Sequence, residues 1–401
     1  MRSVVGFNAY QMSAFGSLRV GARYLQADII NKYQIDPNYW GTAVTGTGAV
    51  ARVPTMSGIS VLGGGAIGTA KLQTHELYRY QAGKGTRWYM TGFSSDAGNT
   101  KSVREWGQFD ADDGIFFRHA RSTARNQLDL VIRSSSGVGG VVVPQESWNR
   151  DNCRDLDPTK GNIYEVSYQW LGVGNVQFWI NGTLVHEQPH ANLIAGPYMR
   201  TAQLPMTVLV TEAGGSAGAS GFTLICTSIG VDGGDAPAMW GYTYGRPAAP
   251  FALSTTETPL LSLRPANTIN SIANRSLILP RHITISAGNF GAGASTATFK
   301  VYVNSTLTTS LAWTAVSGGS NAERDIGTTA AGFSAGTQID AAILSTGTSI
   351  FDMDLTAQYS LHGRKMMRRD LATVTLDIIT VTCKLDSGTG TGSCDLSWHE
   401  T

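Results

Sequence analysis

Residues 164–190 read YEVSYQWLGVGNVQFWINGTLVHEQPH, and the fold turns on this stretch. Tyr164, Val166, Tyr168 and Trp170 alternate with Glu165, Ser167 and Gln169, the period of a strand with one buried face. After LGVG the alternation resumes at Val176, Phe178 and Ile180, then stops at Asn181-Gly182. An Asn-Gly pair between apolar runs predicts a hairpin, because both central residues of a type I′ turn need φ > 0. The reading is antiparallel sheet with aromatic-rich strands, closing as a β-sandwich.

Composition agrees. The chain has 401 residues, of which 47 are Gly and only 15% are charged, which suits many short strands joined by tight turns. That length holds two or three cores. A net charge of +1 sets up no field towards nucleic acid or an anionic membrane. No apolar run reaches the roughly 18 residues of a membrane span. Met1-Arg2 is followed by a mixed segment without an apolar core, so Sec export is not expected and synthesis in a cytoplasm is.

Strand signals run densely from about residue 71, with THELYRYQ, TRWYMTGFS, REWGQFD, GIFFRHAR and QLDLVIRSS, to GFTLICTSIGVDG. Residues 1–55 read as an N-terminal arm or first strands, although Leu25, Ile29 and Tyr33 have helical spacing. The Pro-, Gly- and Thr-rich stretch that follows Trp240 marks a boundary. The expected division is therefore all-β: 1–55 arm, 56–245 first sandwich, 246–258 linker and 259–401 a smaller second sandwich. No solenoid or heptad period is visible.

Several motifs invite a chemical reading. His186-Glu187-Gln188-Pro189-His190 spells H-E-x-x-H, but that zinc site needs a helix, and Pro189 would break one. Asp110, Asp112 and Asp113 before Gly114 suggest a calcium loop one residue out of register, with Arg121 where the closing Glu should stand; an acidic turn fits better. Gly83-Lys84-Gly85-Thr86 lacks the earlier Gly and the following helix of a phosphate loop. Arg364, Lys365, Arg368 and Arg369 are either a solvated turn or a contact for an acidic partner surface. Trp88, Trp106, Trp148, Trp170 and Trp179 divide between core and a sugar-stacking platform; Trp148, Trp179 and Tyr198 are the first to test as stacking residues. No paired-carboxylate run of the kind glycosidases use is present, so no catalytic residue, metal ligand or cofactor is assigned. Cys383 and Cys394 flank KLDSGTGTGS, which reads as a hairpin loop. They could form a disulfide after release, or stay as the buried thiols usual for a cytosol-made protein.

WGQFDADDGIFFRHAR, SWNRDNCRDLD, YQWLGVGNVQFWINGTLVHEQPHAN with YMRTAQLPM, and TTETPLLSLRP with NRSLILP resemble a group of tailed-bacteriophage virion structural proteins. The order resembles theirs too, from FGSLRV through RYQAGKG to DLSWHET, so the resemblance covers nearly the whole chain and is densest over 75–280. It implies a concanavalin-like jelly-roll sandwich in the middle and brings no catalytic residues. The chain departs from the pattern in the Gly/Ala/Thr-rich 291–349 and the basic 364–369.

The resulting expectation is a non-enzymatic virion component, made in the host cytoplasm. It would decorate the capsid or sit on the head through multivalent contacts with capsid, tail or neck proteins, as a homo-oligomer. The alternative is a carbohydrate-binding module on a tail or fibre, reading a host surface glycan. A fold alone chooses neither.

Overall fold

The computed structural model describes residues 23–400 apart from 38, 98–100, 121–127, 170–173, 202, 215–219, 234–239, 246–250, 289, 292, 294–295, 309–311, 317, 346–349, 356–366 and 368–375. It divides into two compact units, Met1–Ala236 and Pro237–Thr401.

In the first unit the strands are β1 (Tyr24–Ile30), β2 (Trp40–Gly46), β3 (Ala49–Val53), β4 (Gly58–Leu62), β5 (Ile67–Thr74), β6 (Thr86–Ser94) and β7 (Ser102–Phe109). They continue as β8 (Gly114–Ala120), β9 (Leu128–Arg133), β10 (Val141–Pro144), β11 (Asn162–Tyr168), β12 (Val176–Ile180), β13 (Thr183–Gln188), β14 (Met206–Ala213) and β15 (Gly221–Val231). One sheet runs β13-β12-β11-β6-β15-β4-β3, with β1 also on β15; the other runs β10-β9-β8-β7-β14-β5-β2.

The predicted hairpin is present. Asn181 (φ +49°) and Gly182 (φ +80°) both take the left-handed conformation, and β12 pairs back on β13. The Asn181 side chain secures the turn: its Oδ1 accepts from the Ile163 amide at 2.9 Å, and its Nδ2 donates to Asn162 Oδ1 at 2.8 Å.

Inward-facing aromatics from the two sheets meet in the middle. Trp106 of β7 stacks on Phe222 of β15 at 4.5 Å and meets Tyr164 of β11 edge-on at 4.8 Å. Phe117 of β8 meets Trp88 of β6 and Phe178 of β12 edge-on. Such geometries add about 0.5–1.5 kcal/mol per pair to the area they bury. Gly92 makes room for this: a Cβ there would lie 2.6 Å from the Phe222 ring.

The second unit is a smaller sandwich. One sheet orders the strands Trp240–Gly245, Gly390–Glu400, Ile278–Gly288 and Phe351–Asp354, with Phe251–Leu253 also on Gly390–Glu400. The other orders Thr314–Ala315, Ala322–Asp325, Thr258–Pro265, Ile379–Leu385, Thr296–Val303 and Thr337–Ser345. Ile283, Ile285, Leu396 and Trp398 of the first sheet share a core with Leu261, Leu263, Phe299 and Val381 of the second.

For residues 1–55 the first-strand alternative holds over the arm, and two other expectations need correction. Within residues 1–55, β1 and β3 belong to the eight-stranded sheet and β2 to the seven-stranded one. The described part of this stretch is therefore integral sandwich, and Leu25 and Ile29 lie in a strand because β15 supplies their hydrogen-bond partners. The boundary falls near 236, not at 246–258, because Trp240–Gly245 and Phe251–Leu253 both pair with Gly390–Glu400. Proline and glycine there punctuate strands, not domains. Finally, Cys383 and Cys394 do not face each other across a hairpin. The loop between them crosses from one sheet to the other, and no disulfide joins them.

Candidate functional site

Alternation along β7 sends Trp106 into the first sandwich and Glu105 and Phe109 to the outer face of the seven-stranded sheet. Neighbouring strands extend this into a row in which Leu209, Glu105, Arg118 and Asp129 stand side by side. One carboxylate oxygen of Glu105 accepts from Arg118 Nε at 2.9 Å and the other from Arg133 at 3.2 Å. The Arg133 guanidinium also lies 4.7 Å over the Phe116 ring and 5.3 Å over Phe109. Phe109 and Phe116 pack at 4.4 Å with Val131, half-buried Leu209 closing the patch. Beside it, Thr207 Oγ1 accepts from Gln73 Nε2 at 3.0 Å and donates to the Phe109 carbonyl at 2.7 Å.

This face carries charge in balance rather than an acid and base poised for transfer. Glu105 and Asp129 sit two strands apart, about 10 Å between backbones at the usual strand spacing, with Arg118 between them. Burial raises the Asp129 carboxyl above the usual range, Arg118 opposes that, and Glu146 adds to it. Two-carboxylate glycoside hydrolysis uses the intervening space for the sugar and its water; here a guanidinium stands in that row. The sequence signal for this cluster was legible, since Glu105 alternates with Trp106, but its two arginine partners come from other strands.

In the second unit a shallow groove of about 330 Å³ opens on the outer face of the sheet containing Gly390–Glu400. Gly241, Thr243, Arg281, His282, Ser397 and His399 line it. A bulge between Pro280 and His282 inserts Arg281. His282 Nδ1 lies 3.9 Å from Asp352. Desolvation lowers the His399 pKa, with Arg281 and His282 pushing the same way. The sequence reading missed this groove, because nothing local ties residues 241, 282 and 399 together.

The three candidate stacking residues are buried. Trp148 is 7% exposed and donates from Nε1 to the Val143 carbonyl at 3.3 Å. Trp179 is 3% exposed, with the Arg87 guanidinium 6.0 Å over its ring. Tyr198 is fully buried, bonds the Gln169 carbonyl, and stacks on His190 at 4.4 Å. A platform must present a ring to solvent, so none of the three offers one in this conformation. Trp88 and Trp106 are core. Trp170 and the basic cluster Arg364, Lys365, Arg368 and Arg369 lie outside the described residues.

The motifs resolve into structural roles. His186 and Glu187 lie on strand β13: His186 Nδ1 accepts from the Asn149 amide at 3.2 Å, and Glu187 pairs with Arg150 at 2.5 Å. No cluster of three potential metal ligands occurs among the described residues. Asp110 Oδ1 accepts from the amides of Asp112 and Asp113, and the buried Asp113 carboxylate accepts from Ser135 and Thr201, so this is an acidic turn. Gly83 (φ +78°) and the Lys84 amide bonded to the Gln81 carbonyl form another turn.

No family model matches the chain, and no curated protein matches it. Solved structures do. The Emp47p carbohydrate recognition domain aligns at 12% identity and a TM-score of 0.31, covering 56% of this chain and 99% of that one. A glycosyl hydrolase family 16 protein from Mycobacterium smegmatis aligns at 9% identity and a TM-score of 0.38, covering 51% and 100%. A putative beta-glucanase from Mycobacterium abscessus gives 11% identity and 0.38 over the same shares. At these values no functional residue carries across.

Proposed function

We propose that this chain is a non-enzymatic structural protein of a tailed-phage virion, associated with the head and held there by contacts with other protein subunits. The observation that carries the reading is where apolar surface is exposed. Of fifteen large apolar residues exposed in the described chain, eight fall between Tyr24 and Ile67, on β1, β2, the start of β5 and the connections after β1 and β3. The Arg52 side chain of β3 donates to the Lys32 carbonyl, and the Trp40 indole donates to Asn31 Oδ1, which ties these segments to one side of the sandwich. Concentrated apolar exposure marks a protein contact more often than scattered residues do. The engaged carboxylate on the outer face of the seven-stranded sheet fits the same reading. Its test is reconstruction of intact particles: density for both sandwiches on the head lattice supports it, density confined to tail tips removes the head placement, and a particle without the chain refutes it.

A second reading, glycan binding, is favoured by the groove of the second unit. Its hydroxyls, imidazoles and guanidinium suit a sugar's hydroxyl edge. Binding on a glycan array that is lost in His282→Ala, with the fold retained, would support it. Absence of binding to host-surface polysaccharide would remove it.

A further inference from the structure

Five strands of the first unit have an open side among the described residues: β1, β2, β3, β10 and β13. Proteins protect such edges with charge, proline or shortness, because unpaired backbone groups template pairing with another chain. Four of the five follow that rule. β1 carries Asp28, β3 carries Arg52, β13 carries His186 and Glu187, and β10 has four residues ending at Pro144. β2, Trp40–Gly46, reads WGTAVTG over seven residues with neither charge nor proline. It pairs with β5 on one side only, and Thr42, Val44 and Thr45 are exposed.

We propose that the open side of β2 pairs antiparallel with β2 of a second copy of this chain, about a two-fold axis, making one sheet continuous across both protomers. Electrostatics favour a second copy of β2 as the occupant of this edge. A two-fold antiparallel pairing sets each residue opposite its own copy or a residue an even number of positions away on the same face. Any charge on the strand is then brought towards its own sign, which destabilises a cross-strand pair. Of the five open strands, β2 is the one of five or more residues that avoids this. Centred on Val44, the pairing places Val44 against the partner's Val44 and Ala43 against the partner's Thr45, all uncharged. An exposed apolar side chain, Tyr39 (37% exposed), stands just before the strand, and Val44 (53%) stands near its middle. These extend the strand contact beyond its backbone hydrogen bonds.

The pairing rests on the assembly reading above, but the two fail separately. Sedimentation equilibrium of the full chain over a wide concentration range should show twice the 42.7 kDa chain mass. Val44→Lys brings two ammonium groups together at the axis and should abolish the dimer. Val142→Lys, on the opposite edge strand β10 and half exposed, should not. Val44→Asp, which brings two carboxylates together at the same axis, gives a second disruption if Val44→Lys does not fold. A wild-type chain that stays monomeric throughout overturns the proposal, as does a folded Val44→Lys or Val44→Asp that dimerises like wild type. A monomer that still incorporates into particles overturns the pairing alone, whereas a dimer absent from particles overturns only the assembly reading.

Discussion

Acidification should destabilise the first sandwich through one histidine. His119 is fully buried on β8. Its Nδ1 lies 3.2 Å from Arg104 and 2.9 Å from Ser94 Oγ. Arginine can only donate, so Nδ1 accepts and the imidazole is neutral, with its proton on Nε2. A second proton would have to sit on Nδ1, facing a guanidinium. Burial, then Arg104, push the pKa from 6.5 down to about 4, with Asp96 opposing. The folded value lies below the unfolded one, so the unfolded chain takes up the proton first. Stability from this group is complete above 6.5, declines as pH falls from 6.5 towards 4, and is gone below. The full span is about 3 kcal/mol, of which about 2 kcal/mol is lost between pH 7 and pH 5. Urea unfolding of the wild type and of His119→Gln at those two pH values checks it. Burial also lowers the pKa values of His186 and His190, and their contribution cancels in the comparison because both proteins carry them. The wild type should lose about 2 kcal/mol more than His119→Gln on going from pH 7 to pH 5. Equal losses would refute the assignment of that slope to His119.

Other outcomes follow from named contacts. Glu105→Gln removes the charge that Arg118 and Arg133 share and should cost about 2–3 kcal/mol by urea unfolding, with both arginines half-buried. Asn181→Ala combines a left-handed backbone with two lost side-chain hydrogen bonds and should cost about 2 kcal/mol or more, whereas Asn181→Gly relieves the backbone part. Trp179→Ala should cost about 3–5 kcal/mol from a buried site, so thermal unfolding should detect it before any binding assay does. Cys383 is 1% exposed and burial pushes its thiol up to about 12. It should stay unreactive to alkylating reagents in the native chain and react on unfolding; rapid native-state labelling would refute this.

The sequence by itself determined the fold class and the type I′ hairpin, because both are set by local physics. Period-two alternation along residues 164–169 and 176–180 marks strands, although the structure buries both faces of them rather than one, and Asn181-Gly182 can adopt positive φ without tertiary help. It also sufficed to set aside the H-E-x-x-H coincidence, since Pro189 forbids the helix that motif requires. Tertiary structure decided the rest. Strand partners join residues far apart in the chain, and sheet membership cannot be read from either strand alone. That is why Trp240–Gly245 passed as the end of the first domain, and why the segment between Cys383 and Cys394 passed as a hairpin when it crosses between sheets. The same holds for exposure. An aromatic side chain is a platform or a buried residue according to what covers it: Trp148 and Tyr198 lie in connections packed into the core, and Trp179 on β12 is covered. Glu105 meeting Arg118 and Arg133, and His282 and His399 lining one groove, depend on strand register, which is set only when the whole hydrophobic face chooses its side.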